Sequence, residues 1–288
     1  MTNEVIDFQV RLAWAHASPG PIDGSMGMNT RAAIKAFQRM RGLDETGELN
    51  EQTRQVLESF DGKPTVIEYE ISKEDVAGPF LEKIPSDMME MAKLKRLSYT
   101  SALELLSEKF HMDPDLVQTL NKGRSFDSAG TIIRVANVAD LKLTTQVNRI
   151  EVDKKVEMVR AYDDGDKLIA SYPATIGSDE TPSPDGQHKV VAVARNPSYT
   201  YDPRKLDFKG IESNEKFTIP PGPNNPVGLV WIDLDAPTYG IHGSPEPAKI
   251  SRQNSHGCVR LTNWDALELA EAVHKGVEVD FVSGSQKD

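Results

Sequence analysis

The chain has 288 residues and a mass of 31.8 kDa, with 38% hydrophobic and 27% charged residues. That is room for two or three domains of about 100–200 residues each, and too apolar for a disordered chain. The net charge of −11 is spread as −2 over 1–60, −3 over 61–144 and −6 over 145–288, so no segment offers the basic face that nucleic acid or anionic membrane needs.

No run approaches the roughly 18 consecutive apolar residues of a membrane span. Met1 to Val10 lacks a basic stretch followed by an apolar core, so no signal peptide is visible. The single cysteine, Cys258, excludes an internal disulfide and any cysteine-rich metal site.

In chain order, Val5 to Ala17 reads as a first helix. Ala33, Ile34, Phe37 and Met40 recur at helical spacing, which predicts a second helix capped by Asn29 and stopped by Gly42. A third follows Gly47-Glu48-Leu49-Asn50 and carries Val56 and Leu57. These make a small three-helix module over 1–62, close to the lower size limit for an independent core.

The next segment, 63–144, reads as mixed α/β. A first strand lies within Val66 to Ile71. Thr100 caps a helix with Leu103, Leu106 and Phe110, and Asp113-Pro114 restarts one through Leu116 and Leu120. Asn121 to Gly130 is loop and Thr131 to Val135 strand. From 145 the pattern becomes mostly β. Two strand-like runs flank Asp163-Asp164-Gly165-Asp166 as in a hairpin, strands follow at Val190–Ala194 and Gly228–Leu234, and one helix follows Asn263. The fold class is therefore α+β and multidomain. The turn-rich stretch 199–226 reads as either a lid or an irregular surface loop.

Chemistry concentrates in Ile241-His242-Gly243 and Ser255-His256-Gly257-Cys258-Val259-Arg260. Cys258 follows His256 by two positions and His242 by sixteen. A free thiol, with a pKa of about 8.5, is mostly protonated at neutral pH, and an imidazole beside it lowers that pKa or accepts the proton. Gly257 permits a tight backbone approach, so that N–H groups can face a developing oxyanion. Zinc ligation by His242, His256 and Cys258 lacks a second cysteine or a spaced histidine pair, so no metal is expected. Ser255 is read as a local hydrogen-bonding group, since the nearby thiol is the better nucleophile. Trp264 reads as a core aromatic, and His16, His111, His188 and His274 carry no motif.

His242-Gly243 with Ser255-His256-Gly257-Cys258-Val259-Arg260 resembles the signature of L,D-transpeptidase catalytic domains. Tyr172-Pro173, Gly177, Thr181-Pro182-Ser183-Pro184-Asp185-Gly186 and Asn263-Trp264-Asp265 resemble its flanks, and the likeness covers 145–288. The run from Asp23 to Thr30 with Phe37-Gln38 and Thr46-Gly47-Glu48-Leu49 resembles a helical peptidoglycan-binding module. The helix, Asp-Pro, helix, strand order of 63–144 resembles the second half of a LysM module, interrupted by an insertion from Ser72 to Leu97; a connecting domain is the other reading.

The resemblance implies a cofactor-free acyl transfer on peptidoglycan stem peptides. Cys258 attacks the peptide bond before the terminal D-alanine. His242 is general base, oriented by the Gly243 carbonyl. His256 sits beside the thiol, Gly257 and Cys258 supply N–H donors, and Arg260 holds a carboxylate or braces the loop. The thioester then passes to a second stem's amine, giving a 3→3 cross-link. Water (an L,D-carboxypeptidase) or another amine such as a lipoprotein lysine are alternative acceptors, and a non-catalytic wall-binding protein is a third reading. Such a substrate implies contact with the glycan and a periplasmic or cell-wall location, with the leader already removed; carbapenems are the expected covalent inhibitors.

Overall fold

The computed structural model describes residues 4–59, 62–139, 141–177, 183–203, 215–252 and 257–284. Its first helices are α1 (Glu4–Trp14), α2 (Met28–Met40) and α3 (Glu51–Glu58). Helix α1 stops three residues before the predicted end because the chain there turns onto the rest of the protein. His16 takes a positive φ of 59°, its carbonyl accepts from Ser171 N, and Ser18 N donates to Ser171 O. Helix α2 starts two residues before the position expected from an Asn29 cap, with Gly27 at the N-cap. Asn29 instead reaches the carbonyl of Ile250. The stop at Gly42 (φ 67°) is as predicted, and α3 follows Asn50 as expected, with Asn50 as its N-cap accepting from Thr53 N.

The middle segment contains β1 (Val66–Glu70), α4 (Lys73–Val76), α5 (Met88–Ala92), α6 (Ala102–Lys109), α7 (Pro114–Leu120) and β2 (Ile132–Ala136). Strands β1 and β2 pair antiparallel around α6 and α7, so the insertion, with α4 and α5, lies between β1 and α6. Asp113 and Pro114 start α7 as predicted. Ser101, not Thr100, caps α6, because Thr100 turns its own N–H and hydroxyl to Glu104.

The remaining elements are β3 (Arg149–Asp153), β4 (Met158–Tyr162), β5 (Leu168–Pro173), β6 (Gly186–Arg195), β7 (Tyr199–Tyr201), β8 (Phe217–Ile219), β9 (Val230–Leu234), β10 (Gly240–His242), β11 (Val259–Arg260), α8 (Asn263–Ala272) and β12 (Glu278–Val282). Among the described residues eight of these strands form one sheet, in the order β11-β10-β9-β6-β12-β3-β4-β5. Its pairs are antiparallel except β12 with β3 and β10 with β11. One large apolar cluster joins the sheet to Ala266, Leu269 and Ala270 of α8. A second gathers Leu106, Phe110, Val117, Ile133 and Val135, and a third Ala33, Ile34, Phe37 and Leu57. Helix α1 serves both smaller clusters, sending Ile6 and Val10 into one and Phe8 and Leu12 into the other.

The segments meet through buried polar contacts as well as apolar ones. Leu97 N donates to Pro221 O, Asn224 N donates to Leu97 O, and Asn224 Nδ2 reaches Ser98 O and Glu104 Oε1. On α8, the Asn263 carboxamide bonds both oxygens of Glu108. Gly222 has φ 147°, and a Cβ there would lie 2.1 Å from the carbonyl oxygen of Leu97. Gly222→Ala should therefore detach this contact, lowering the unfolding midpoint and exposing the 80–100 stretch to protease in limited digestion.

Burial raises the Glu108 carboxyl to about 8, with Asn263 pulling partly against it. Between the ordinary carboxyl range and about 8 the folded chain holds a proton that the unfolded chain releases, so this group's stabilisation fades as pH rises through that window. Glu108→Gln should flatten stability over pH 5–8 relative to wild type, as read by urea unfolding at several pH values.

Candidate active site

The site is built on the parallel pairing of β10 with β11. The register sets Ile241 against Val259 and His242 against Arg260. One step back, Gly240 faces Cys258. Side chains alternate across a strand. Ile241 and Val259 point into the core, where both are buried. His242 and Arg260 therefore share the opposite face, joined by Trp231, which β9 places opposite His242, and Cys258 lies in the bend just before β11, within the electrostatic reach of Arg260.

On this face the Trp231 and His242 rings stack with centroids 5.4 Å apart and planes 19° apart. A Cβ on Gly240 would lie 2.6 Å from the Trp231 ring, so glycine is what lets the indole lie across β10. His242 Nδ1 is 2.7 Å from the carbonyl oxygen of Gly243. A carbonyl only accepts, so Nδ1 carries the hydrogen and Nε2 holds the free lone pair. Burial, together with the Arg260 charge and against the Gly243 hydrogen bond, lowers the His242 pKa to about 3.

The Cys258 thiol faces the backbone at the start of β10, with Sγ 3.7 Å from Thr238 O. Burial pushes its pKa up, against smaller lowering effects from the Gly240 backbone and Arg260. The resting pair is thus a neutral thiol and a neutral imidazole. Arg260 links the groups electrostatically, acting on His242, Cys258 and Tyr199. Its buried Nε has no hydrogen-bond partner among the described residues, while its main chain is pinned by a reciprocal pair of bonds to Thr175.

Tyr199 opens β7, which pairs with β8 as a hairpin, and its phenol interacts electrostatically with Cys258. Of the 199–226 stretch, Tyr199 thus comes within the electrostatic reach of the thiol; residues 204–214 lie outside the described residues. Gly257 (φ 104°) precedes Cys258, and its carbonyl accepts from Ser183 Oγ at 2.6 Å. Ser183 Oγ in turn accepts from Gly177 N. These two residues belong to the flanking runs quoted from the sequence, and they hold the turn before Cys258.

The structure therefore brings together Cys258, His242, Gly243, Gly257 and Arg260 of the expected residues. Ser255 and His256 lie outside the described residues. His188 pairs with Asp235 and Phe281, His16 with Glu268, and Trp264 is buried against His111. Trp231 and the place of Asn263 were not found by sequence reasoning. Trp231 sits in an alternating strand whose partner, and hence whose face, only the sheet order reveals. Among the described residues no group of three His, Cys, Asp or Glu side chains is placed to hold a metal ion.

Residues 147–280 match the family model described as "L,D-transpeptidase catalytic domain", and residues 2–57 match "Putative peptidoglycan binding domain". The resemblances seen in the sequence over these two segments are thus met independently. The chain is 32% identical over 133 residues to "Putative L,D-transpeptidase YkuD" of Bacillus licheniformis, covering 46% of this chain and 64% of that protein. It is 27% identical over 188 residues to "Probable L,D-transpeptidase YbiS" of Escherichia coli, covering 64% and 60%. The chain thus spans less than two thirds of the length of these curated relatives. Among solved structures, an L,D-transpeptidase from Xylanimonas cellulosilytica aligns over 98% of this chain and 94% of that one, at 16% identity and a TM-score of 0.42. One from Mycobacterium smegmatis aligns over 56% and 76%, at 16% identity and a TM-score of 0.39.

The electrostatics give a direct expectation. His242 should show no imidazole titration by NMR between pH 5 and 8, and alkylation of Cys258 by iodoacetamide should keep accelerating above the ordinary thiol range.

Proposed function

We propose that the chain is a peptidoglycan L,D-transpeptidase, with a wall-binding module over 1–62, a LysM-like or connecting segment over 63–144 and the catalytic domain over 145–288. What supports this reading is the register of β10 and β11, which pairs His242 with Arg260, two residues after Cys258, within the segment that matches the catalytic-domain family.

The mechanism follows from the neutral resting pair. As Cys258 Sγ bonds to the carbonyl carbon before the terminal D-alanine, its proton passes to the Nε2 lone pair of His242. The thiolate that forms in transit is stabilised by the nearby Arg260 charge. The resulting oxyanion is held by the N–H groups of Gly257 and Cys258, where preorganised donors are most effective. When the C–N bond breaks, the imidazolium returns the proton to the leaving D-alanine amine. An acceptor amine then attacks the thioester, His242 takes its proton, and the thiol is released. The exchange of one amide for another needs no external energy source, because the thioester retains the acyl potential. Arg260 is assigned either to hold a substrate carboxylate or to brace the loop. His256 is assigned a place beside the thiol, and Ser255 a part in binding, on the resemblance alone.

This chemistry places the enzyme at the cell wall, outside the cytoplasmic membrane. Among the described residues no helix is long and apolar enough to cross a membrane.

Incubation with a disaccharide-tetrapeptide donor should release D-alanine and yield 3→3 cross-linked dimers, seen by mass spectrometry. A carbapenem should add its full mass at Cys258. Cys258→Ala should abolish both. Persistence of either in that variant overturns the reading, and donor hydrolysis or attachment to an added amine without dimers would assign a different acceptor.

A further inference from the structure

Asn263, the first residue of α8, is held on every side. Its Oδ1 accepts from Leu229 N at 3.1 Å. Its Nδ2 donates to Pro223 O at 3.1 Å and to the two oxygens of Glu108 at 3.2 and 3.1 Å. The carboxamide is also wedged between two backbones. A Cβ on Gly228 would lie 2.1 Å from Oδ1, and one on Gly243 only 2.4 Å. The Asn263 side chain therefore abuts the Cα of Gly243, whose carbonyl accepts the Nδ1 hydrogen of His242.

Glu108 is 8% exposed and lies on α6, outside the segment that matches the catalytic domain. It also accepts from Tyr99 at 3.4 Å, and Glu104 next to it is engaged by Thr100 and Asn224. A carboxyl group this deep, with Asn263 as its main partner, is an expensive way to fill space, since buried polar groups destabilise a fold unless they are paired.

We propose that Glu108 is a positioning residue for the His242 ring: it holds the Asn263 carboxamide, which fixes the Gly243 peptide that orients the imidazole. This rests on the reading of His242 as the base. It makes the middle segment a working part of the active site, whatever polymer that segment binds. The path is contiguous, Glu108 to Asn263 to Gly243 to His242, with no gap that a mobile element must bridge.

The test uses the full chain and a carbapenem as acyl donor. Glu108→Leu removes the acceptors and keeps the bulk; Glu108→Gln keeps an acceptor for Asn263. The inactivation rate constant should fall about tenfold to a hundredfold in Glu108→Leu, the scale expected of a small misplacement of a reacting group. The carbapenem's apparent binding constant should stay within about twofold, as expected when ground-state contacts are untouched. Glu108→Gln should recover most of the rate. In parallel, the His242 Nδ1–H resonance should persist in wild type and Glu108→Gln and shift or vanish in Glu108→Leu.

A folded Glu108→Leu that acylates at the wild-type rate with an unmoved His242 resonance overturns the inference. If that variant does not fold, Asn263→Ser takes its place, and unchanged kinetics there overturn it equally. Failure of the wild type to form a Cys258 adduct would instead defeat the functional reading, while the NMR comparison would still report whether Glu108 sets the ring.

Discussion

Two residues of β10 pair with two of β11, and this short parallel ladder makes the site. Strands β10 and β11 are separated by a long connection, and neither is long enough to be stable alone. Their hydrogen bonds hold because β9 flanks β10 on one side, Thr175 brackets Arg260 on the other, and Ile241 and Val259 are sealed in the core. A one-residue slip would turn His242 inward and Ile241 outward. Burial of the two apolar side chains thus fixes the face on which the imidazole and guanidinium meet.

His242 is buried on that face while Cys258, Arg260 and Trp231 are half-buried, and this partial withdrawal from water sets the resting protonation. A buried imidazole and a half-buried thiol both disfavour charge, so the proton rests on sulfur. Arg260 raises the cost of protonating His242 but lowers the cost of the thiolate, so its net effect is to make sulfur the better place for negative charge. Orientation of the imidazole cannot rely on a charge partner in such a setting. It rests on one neutral bond to the Gly243 carbonyl and on stacking against Trp231.

The segments ahead of the large sheet are joined to it by groups that sequence patterns treat as surface. Asn224, Asn263, Glu108 and Asp265 are all buried and hydrogen-bonded, and burial raises the Asp265 carboxyl to about 7. A fully satisfied polar network of this kind specifies one docking geometry, which apolar contacts alone do not. Gly222, Gly228 and Gly243 admit it, because each stands where a Cβ would collide with a backbone or with the Asn263 carboxamide.

Much of this was legible in the residues. Apolar periodicity, Asn50, Asp113-Pro114 and Gly42 marked the helices, because capping and spacing are local physics. The Cys258 and His242 motifs marked the chemistry, because a lone thiol with imidazoles at fixed offsets has few other uses. Asn29 and Thr100 misled as caps because their side chains are committed to Ile250 and Glu104, contacts that no local rule foresees. The sequence alone determined which segments are helical or extended and singled out Cys258 and His242 as the candidate reacting groups. Only the tertiary structure decided that Trp231 stacks on His242, that Tyr199 comes near Cys258 and that Glu108 reaches Asn263, since those neighbours are set by strand order and by the packing of distant segments.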